Sequence, residues 1–307
     1  MPKERPGPVV AGVDFSTGSE AALAYAVWEA RRRGLPLRLV QGFMVPAPCA
    51  SPMAPFYDDE ALIDLAEERL AQIAADVQAK YSGLEVTTKV VSGSGAMTLV
   101  AESASASLVV VGSRGQGGFG GLLLGSVAEQ VSTHARCPAI VVRQSGQAVN
   151  DLPGTGRVLV GIDGSAASAD ALGFAFDEAA SRAVPLIAVH VWSVPQMTGL
   201  SVGTVWSRSP MIAQAQLQEA ADRVLAEAMA GWPEKYPTVE VKRRTVHGDE
   251  PAHTLLDVSA EVEADLIVVG SRGHGGLVGR MLGSVGHTLV AHAQASVAVI
   301  HPERSGY

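Results

Sequence analysis

Hydrophobic residues fall in short continuous runs, and longer segments with helical spacing of apolar and polar residues separate them. The first run, residues 9–14, is rich in β-branched residues and is typical of a strand that is buried on both faces. A segment of mainly Ala and Leu follows and predicts a helix that ends near Arg33. Such alternation predicts an α/β fold whose parallel sheet has helices on both faces. Further strands are predicted at residues 36–40, 85–91, 108–111 and 139–143.

The chain contains two copies of this pattern. VVAGVDFSTGSEAAL from Val9 matches VLVGIDGSAASADAL from Val158, so that Asp14 and Asp163 correspond at a distance of 149 positions. GSRGQGGFGGLLLGSV from Gly112 matches GSRGHGGLVGRMLGSV from Gly270 at a distance of 158, with eleven of sixteen residues identical. We therefore expect one domain at residues 1–146, a polar linker at 147–156 and a second domain at 157–307. The second domain has predicted strands from Val158 and at 185–189, 239–246, 266–269 and 297–301.

Composition narrows the class of protein. Of 307 residues, 47% are hydrophobic and 18% are charged, which suits two globular domains with cores of their own. The net charge of −8 argues against nucleic acid and against a polybasic membrane surface as partners. Cys49 and Cys137 are interpreted as ordinary thiols, and no apolar run has the length of a membrane span. We expect a cytoplasmic protein.

A glycine-rich block follows the predicted fourth strand in each copy. It has the form G-x2-G-x9-G-S and starts at Gly112 and at Gly270. Glycine lets the backbone adopt positive φ or approach a ligand closely, and the N–H groups of such a loop can bind phosphate at a helix N-terminus. Ser126 and Ser284 are predicted to be the N-caps of the next helix, and Arg114 and Arg272 are the positive charges that both loops share. The alternative, a turn that only connects a strand to a helix, is disfavoured by repetition at identical spacing.

Asp14 and Asp163 end the first strand of each copy and are expected to face the same cleft as the glycine block. A carboxylate there can contact the adenine or ribose of a nucleotide, and it can also support the start of the next helix. Gly12 and Gly161, two residues earlier, could let a ligand lie close to the strand.

These motifs resemble those of the universal stress protein family. The resemblance is carried by GVDFS with GSRG-x9-GS in the first copy, and by GIDGS with GSRG-x9-GS in the second. The segment HARCPAIVV from His134 resembles that family's closing segment, and the tandem layout resembles proteins common in actinobacteria.

The resemblance implies two doubly wound, five-stranded sheets of strand order 3-2-1-4-5. It implies ATP in each domain, two per chain, with Mg²⁺ as a candidate companion. It also implies pairing of the fifth strands, which would make the chain an internal pseudo-dimer and would favour a homodimer. The residues implied to bind the nucleotide in the first copy are Gly12, Asp14, Gly42, Gly112, Ser113, Arg114, Gly115, Gln116, Gly117, Gly118, Gly125, Ser126 and Val127. Those in the second copy are Gly161, Asp163, Val191, Gly270, Ser271, Arg272, Gly273, His274, Gly275, Gly276, Gly283, Ser284 and Val285.

Within these sets, the Asp residues would lie near the adenosine, and Gly42 and Val191 would touch adenine through their backbone. The copies depart from the family pattern at one residue, and the segment after the third strand is also shorter in the first copy, from Gly93 to Leu108, than in the second, from Gly248 to Leu266. The Asp common before the fourth strand is present as Asp265, whereas Ser107 stands at that place in the first copy.

The function that we expect is nucleotide-dependent regulation in stress or dormancy, without a catalytic residue or a resident metal. A weak ATPase or phosphotransferase is the enzymatic alternative, but no general base is matched in both copies. A sensor of AMP or cyclic AMP and a scaffold with empty clefts are further alternatives. Two other motifs are interpreted as chance matches. Gly115-x-Gly117-x-x-Gly120 has the spacing of a dinucleotide-binding motif, but it follows the fourth strand rather than the first. GxSxG at 199–203 has the spacing of a hydrolase nucleophile motif, but it is predicted to lie in a loop.

Overall fold

Each predicted strand is present in the structure. The structure is a computed structural model and describes residues 6–43, 59–115, 123–143, 156–194, 210–273 and 282–302. The strands of the first half are β1 (Val9–Gly12), β2 (Leu37–Phe43), β3 (Val86–Ser92), β4 (Leu108–Gly112) and β5 (Ala139–Val142). Those of the second half are β6 (Arg157–Gly161), β7 (Leu186–Trp192), β8 (Val241–His247), β9 (Ala264–Gly270) and β10 (Ser296–Ile300).

Helices connect these strands and begin and end at identifiable residues. Ser16 and Ser165 are the N-caps of the first helix of each half, and each side chain accepts a hydrogen bond from the backbone N–H three residues later. Gly34 ends the first of these helices in the left-handed region, where glycine carries no steric penalty. The helices are α1 (Thr17–Arg33), α2 (Asp59–Lys80), α3 (Gly95–Glu102), α4 (Ser126–His134), α5 (Ala166–Arg182), α6 (Pro210–Ala228), α7 (Trp232–Lys235), α8 (Pro251–Glu261) and α9 (Ser284–His292).

The ten strands form one continuous sheet. Its order is β3-β2-β1-β4-β5-β10-β9-β6-β7-β8, so each half has the order 3-2-1-4-5. All neighbours within a half are parallel, and β5 pairs with β10 antiparallel. The predicted order and the pairing of the fifth strands are confirmed. Because of that antiparallel pair, the strands of the two halves run in opposite directions. The carboxyl ends of the strands in the first half therefore lie on one side of the molecule, and those in the second half lie on the opposite side.

A pseudo-twofold axis relates β5 to β10, the central pair of strands. Ile140 faces Ala298, which is its own counterpart 158 positions later. On either side of it Ala139 faces Val299 and Val141 faces Val297, so equivalent residues exchange places across the axis. The two halves therefore meet as the two subunits of a symmetric dimer do.

A hydrophobic core lies on each face of the sheet and extends across both halves. Helices α1, α2, α5 and α6 cover one face, and α3, α4, α8 and α9 cover the other. Ile140 and Ala298 belong to the first core, and Val141 and Val297 belong to the second. Neither half encloses its core alone. Among the described residues, no helix combines the length and the apolar character that crossing a membrane requires.

A buried cluster of charges joins α1 to α5 on the first face. Glu29 and Arg33 of α1 correspond to Glu178 and Arg182 of α5, and both glutamates are fully buried. Arg33 is 2.7 Å from Glu29 on its own helix and 2.5 Å from Glu178 on the other. Arg182 is 2.6 Å from Glu178 and 3.5 Å from Glu29, and Arg32 contacts both glutamates.

The electrostatics of the cluster depend on this mutual pairing. Burial acts to raise the pKa of Glu178, but the charges of Arg182, Arg32 and Arg33 outweigh it and hold that pKa below its ordinary value. Arg182 also donates a hydrogen bond to the hydroxyl of Tyr25. Removing one guanidinium would leave a buried carboxylate without sufficient compensation.

We predict that Arg182→Ala lowers the free energy of unfolding by about 3–5 kcal/mol, the usual cost of breaking a buried ion pair. Denaturant titration measures the change. Arg244→Ala is the matched control, because Arg244 pairs with Glu261 in exposed surroundings, where such a pair contributes about 0–1 kcal/mol. Equal losses in the two variants would show that the buried cluster has no special weight.

We predict that an isolated first half, residues 1–146, dimerises. Removal of the second half exposes the edge of β5 and takes Glu178 and Arg182 away from Arg33 and Glu29, and a second copy of the first half can replace both contacts. Sedimentation analysis at micromolar concentration measures the mass. A folded, strictly monomeric half would contradict the prediction.

Candidate functional site

The residues predicted to bind a nucleotide meet at one crevice in each half. β1 and β4 pair in parallel, so Asp14 and residues 113–115, which follow these strands, lie side by side. β6 and β9 pair in the same way and bring Asp163 beside residues 271–273. In both halves the crevice lies where the strand order reverses, which is the usual ligand position in an open α/β sheet.

Asp14 and Asp163 shape the turn that leads into the first helix of their half. Asp14 Oδ1 accepts a hydrogen bond from the backbone N–H of Ser16 at 3.0 Å, and Asp163 Oδ1 accepts one from Ser165 at 2.9 Å. This is the usual way in which an aspartate stabilises a turn. The supporting role considered for these residues is therefore present, while Oδ2 of each carboxylate lies toward the glycine loop.

Gly115 and Gly273 are glycines because a carboxylate lies against them. A Cβ atom on Gly115 would be 2.2 Å from Asp14 Oδ2, and one on Gly273 would be 2.5 Å from Asp163 Oδ2. Neither glycine has a positive φ, so the close approach of the carboxylate, rather than the backbone conformation, favours glycine at these two positions. The second glycine of the motif and the aspartate after the first strand thus form a matched pair in each half.

The glycines at the ends of the strands have a packing reason. At Gly112 a Cβ would be 2.5 Å from the carbonyl oxygen of Gly18, and at Gly270 it would be 2.8 Å from the backbone of Ala167. They admit the first turn of α1 and of α5. Gly12 and Gly161 have close packing neighbours: a Cβ on Gly12 would meet the side chains of Leu99 and Val111, and one on Gly161 would meet those of Leu255 and Val269. The expectation that these glycines also make room for a ligand stays a prediction.

The helix after the glycine loop begins at Ser126 in one half and at Ser284 in the other. The prediction that these serines are N-caps is wrong by one residue, since Gly125 and Gly283 are the caps. Gly125 N–H donates to the carbonyl of Ser113 at 2.8 Å, and Gly283 N–H donates to that of Ser271 at 2.9 Å, which holds each glycine in the extended cap conformation. Neither cap residue has a side chain, so the amides of the first turn, those of Val127 and Val285 included, donate no hydrogen bond to an N-cap side chain.

Ser113 and Ser271 are buried and fix the start of each loop. Their N–H groups donate to Val142 at 3.0 Å and to Ile300 at 2.8 Å, the last residues of β5 and β10. Arg114 and Arg272, one residue further along, are exposed. The loop thus leaves a fixed base and presents a guanidinium to solvent at the crevice.

The two halves differ at the end of the second strand. A Cβ on Gly42 would be 2.2 Å from the Cα of Gly95, so the N-terminus of α3 packs directly on β2. Val191, the counterpart of Gly42, is half-buried and packs against the second core. The adenine contact expected of both residues stays a prediction.

Sequence reasoning missed a strained residue beside the first crevice. Phe15 has a φ of +59°, whereas its counterpart is Gly164 with a φ of +85°. The left-handed region costs a residue with a side chain about 1–2 kcal/mol. The ring of Phe15 lies 4.0 Å below the guanidinium of Arg69 on α2. Phe15 corresponds to a glycine in the second copy, 149 positions later. That correspondence could have indicated a positive φ at Phe15 from the sequence alone.

Ser107 and Asp265, the one departure from the family pattern, lie at the other end of the sheet from the crevices. Ser107 Oγ donates to the carbonyl of Gly7 at 2.7 Å, and Asp265 Oδ2 accepts from the N–H of Gly156 at 2.6 Å. Both residues tie down the chain as it enters the first strand of its half. The substitution between them therefore does not touch either crevice.

Some of the predicted residues lie outside the described part of the chain. These are Gln116, Gly117, Gly118, His274, Gly275 and Gly276, together with Cys49, residues 147–155 of the linker and the GxSxG segment. In the described part, no group of three or more His, Cys, Asp or Glu side chains is arranged to hold a metal ion.

Known proteins similar to this chain share its whole length. A universal stress protein of Mycolicibacterium smegmatis is 38% identical, covering 96% of this chain and 97% of its own length. A universal stress protein of Mycobacterium tuberculosis is 36% identical, and the match covers 95% of each chain. In structure, a universal stress protein from Archaeoglobus fulgidus has a TM-score of 0.65 with 23% identity, over 96% of both chains, which shows a shared fold.

The family model matches the chain twice, once in each half. The matched segments are residues 7–143 and 154–301, and each contains one aspartate–glycine crevice. With full-length relatives above 30% identity as well, the chain belongs to the universal stress protein family.

Proposed function

We propose that the chain binds an adenine nucleotide, foremost ATP, in the crevice of each half and acts as a nucleotide-dependent regulator in stress or dormancy. The observation that carries the proposal is the matched pair of Asp14 with Gly115 and Asp163 with Gly273. The same close approach occurs in both halves, beside a helix whose N-cap is a glycine without a capping side chain.

The donors around each crevice suit a phosphate chain. Backbone N–H groups at an uncapped helix N-terminus favour an anion, because the partial positive charge of the helix dipole lies there. Arg114 and Arg272 add an exposed guanidinium to each loop of a protein whose net charge is −8. Each crevice therefore has a positive side chain at its loop although the protein as a whole is acidic, which suits a small anionic ligand.

The carboxylate of Asp14 or Asp163 supports the nucleoside end of the proposal. A carboxylate accepts hydrogen bonds from hydroxyl groups and would be repelled by phosphate. We infer that the ribose lies on the aspartate side of the crevice and that the phosphates lie toward the first turn of α4 or α9. Mg²⁺, if it accompanies ATP, would be held mainly through the phosphates, as is usual for this ion.

A regulatory role fits the crevices better than catalysis does. A reaction in both halves would require an acid or base at equivalent positions near the loops. The carboxylates found there, Asp14 and Asp163, each accept a hydrogen bond from the turn that they support. Position 129 of α4 is Glu, and its counterpart, position 287 of α9, is His. The two lie 3.7 Å apart, Glu129 Oε1 to His287 Nε2, across the pseudo-twofold axis. They pair with each other rather than serving two separate crevices.

We predict that the purified protein binds about two ATP per chain, since both aspartate–glycine pairs are intact. Calorimetric titration measures the number of sites, and mass spectrometry of nucleotide released on denaturation identifies the ligand acquired in the cell. AMP and cyclic AMP are titrated in parallel, because the adenosine contacts are common to all three. GTP is expected to compete poorly. A protein that binds none of these adenine nucleotides would contradict the proposed function.

We predict that Gly273→Ala weakens ATP binding at the second crevice at least tenfold, or about 1.4 kcal/mol. The added Cβ cannot remain 2.5 Å from Asp163 Oδ2, so it must displace the carboxylate or the loop. For the same reason the ligand-free protein should lose about 1–3 kcal/mol of unfolding free energy, the usual cost of overpacking. Titration with ATP and with adenosine, together with denaturant unfolding, measures both effects.

The matched control combines Gly273→Ala with Asp163→Ala. With the carboxylate gone the steric conflict disappears, so Gly273→Ala should cost much less unfolding free energy in this background than alone. Gly115→Ala with Asp14→Ala repeats the cycle in the first half. Additive losses would show that the glycine and the aspartate act independently, and the pairing would then not explain the motif.

A further inference from the structure

The residue after the fifth strand is equivalent in the two halves but differs in type. Arg143 follows β5 and His301 follows β10, and they correspond at the distance of 158 positions set by the glycine blocks. The residue just before each of them accepts the hydrogen bond that starts the glycine loop of the same half, from Ser113 or Ser271. Position 143 and position 301 therefore lie at the base of the two crevices.

Arg143 joins its own loop to a helix of the opposite half. Its Nη1 donates to the carbonyl oxygen of Leu123 at 3.2 Å, two residues before the helix cap Gly125. Its Nη2 donates to the carbonyl oxygen of Val290, near the C-terminus of α9, at 2.6 Å. Bonds from a charged donor are stronger than those from a neutral one, and the planar guanidinium makes two of them in a fixed geometry. The end of the first loop is thereby fastened to a rigid element.

Helix α9 is well placed for this role because it extends from the second crevice toward the opposite ends of the strands, where β5 ends. Its first residue, Ser284, lies at the second crevice, and its last turn reaches the edge where β5 ends. A helix of this length spans about 13 Å. The backbone N–H of Arg143 also lies 3.4 Å from Ser296 Oγ at the start of β10.

His301 has the equivalent position, and an imidazole has neither the permanent charge nor the fork of donors of a guanidinium. Its ring lies close to Ser132, which corresponds to Val290 158 positions later, and close to Arg272 and His134. Its buried Nε2 has no hydrogen-bond partner among the residues that the structure describes. Burial, then the charges of Arg272 and His134, lower its pKa to about 4, so the ring is neutral at pH 7.

We infer that positions 143 and 301 are positioning residues for the glycine loops, and that arginine at one and histidine at the other makes the two nucleotide sites unequal. Arg143 fastens the first loop with two charge-assisted bonds and adds a second guanidinium near Arg114. Burial lowers the pKa of Arg143, and the nearby charge of Arg114 lowers it further. The second loop has Arg272 and a neutral ring. The first site therefore loses less conformational entropy when ATP binds, and it has more positive charge. For both reasons it binds ATP more tightly than the second site does.

The inference rests on the proposed function, and an exchange of the two residues tests it. Single-site backgrounds, Gly273→Val for the first site and Gly115→Val for the second, let each be titrated alone with ATP and with adenosine. Arg143→His should weaken ATP binding at the first site about tenfold and leave adenosine almost unchanged. His301→Arg should strengthen ATP binding at the second site. Arg143→Lys should recover only part of the loss, because an ammonium lacks the fork geometry.

Arg136→His is the matched control. It makes the same change of residue type at an exposed position seven residues earlier, before the start of β5 and so at the opposite end of that strand from Arg143. It should leave ATP affinity at both sites unchanged. If His301→Arg fails to fold, the ATP affinity of Arg143→His alone tests the inference. That variant is expected to fold because the equivalent position of the second half already contains histidine.

Amide hydrogen exchange of the ligand-free protein separates the inference from the proposed function. The peptide that contains Gly125 should exchange faster in Arg143→His than in the natural protein or in Arg136→His, whether or not any nucleotide binds. A natural protein that binds no ATP defeats the proposed function, and the exchange rates then decide the positioning role. Unchanged exchange together with unchanged ATP affinity in Arg143→His would overturn the inference.

Discussion

Ile140 and Ala298 face each other in the antiparallel pair of β5 with β10, and most of the architecture follows from that contact. In a five-stranded unit of order 3-2-1-4-5 the fifth strand is an edge with unpaired backbone groups. Here each half covers the edge of the other, and both hydrophobic cores continue through the junction. The pairing also places equivalent residues opposite one another, so the pseudo-twofold symmetry that it establishes recurs in every layer above and below the sheet.

The charged cluster between α1 and α5 shows what this symmetry demands of side chains. Glu29 and Arg33 meet Glu178 and Arg182, which are the same two residues of the repeat in the other half. An apolar contact of similar volume could stabilise the junction as well or better. Charges, however, tolerate few alternative arrangements, because a slip of one helix turn would leave a buried carboxylate unpaired. The cluster thus favours one register of the halves over others in which apolar surface alone would be buried equally well.

Much of this fold could be predicted from local pattern. The strands are continuous apolar runs, and the aspartate and the glycine block follow the ends of strands that neighbour each other in the predicted order. The reason for each glycine could not be predicted, because Gly12 meets Leu99 and Gly112 meets Gly18 only once the helices are packed. The contact of Glu29 with Arg182 joins residues far apart in sequence and exists only through the central strand pair. The helix caps at Gly125 and Gly283 depend on carbonyl groups of the preceding loop, which a serine-based rule does not include.

The antiparallel centre of the sheet also fixes the directions in which the two crevices open. Since the strands of the halves run oppositely, one crevice opens at one edge of the molecule and the other opens at the opposite edge. A flat partner surface that covers one crevice cannot reach the other. Two ligands bound in the two crevices would therefore lie on opposite sides of the chain and would not compete for space.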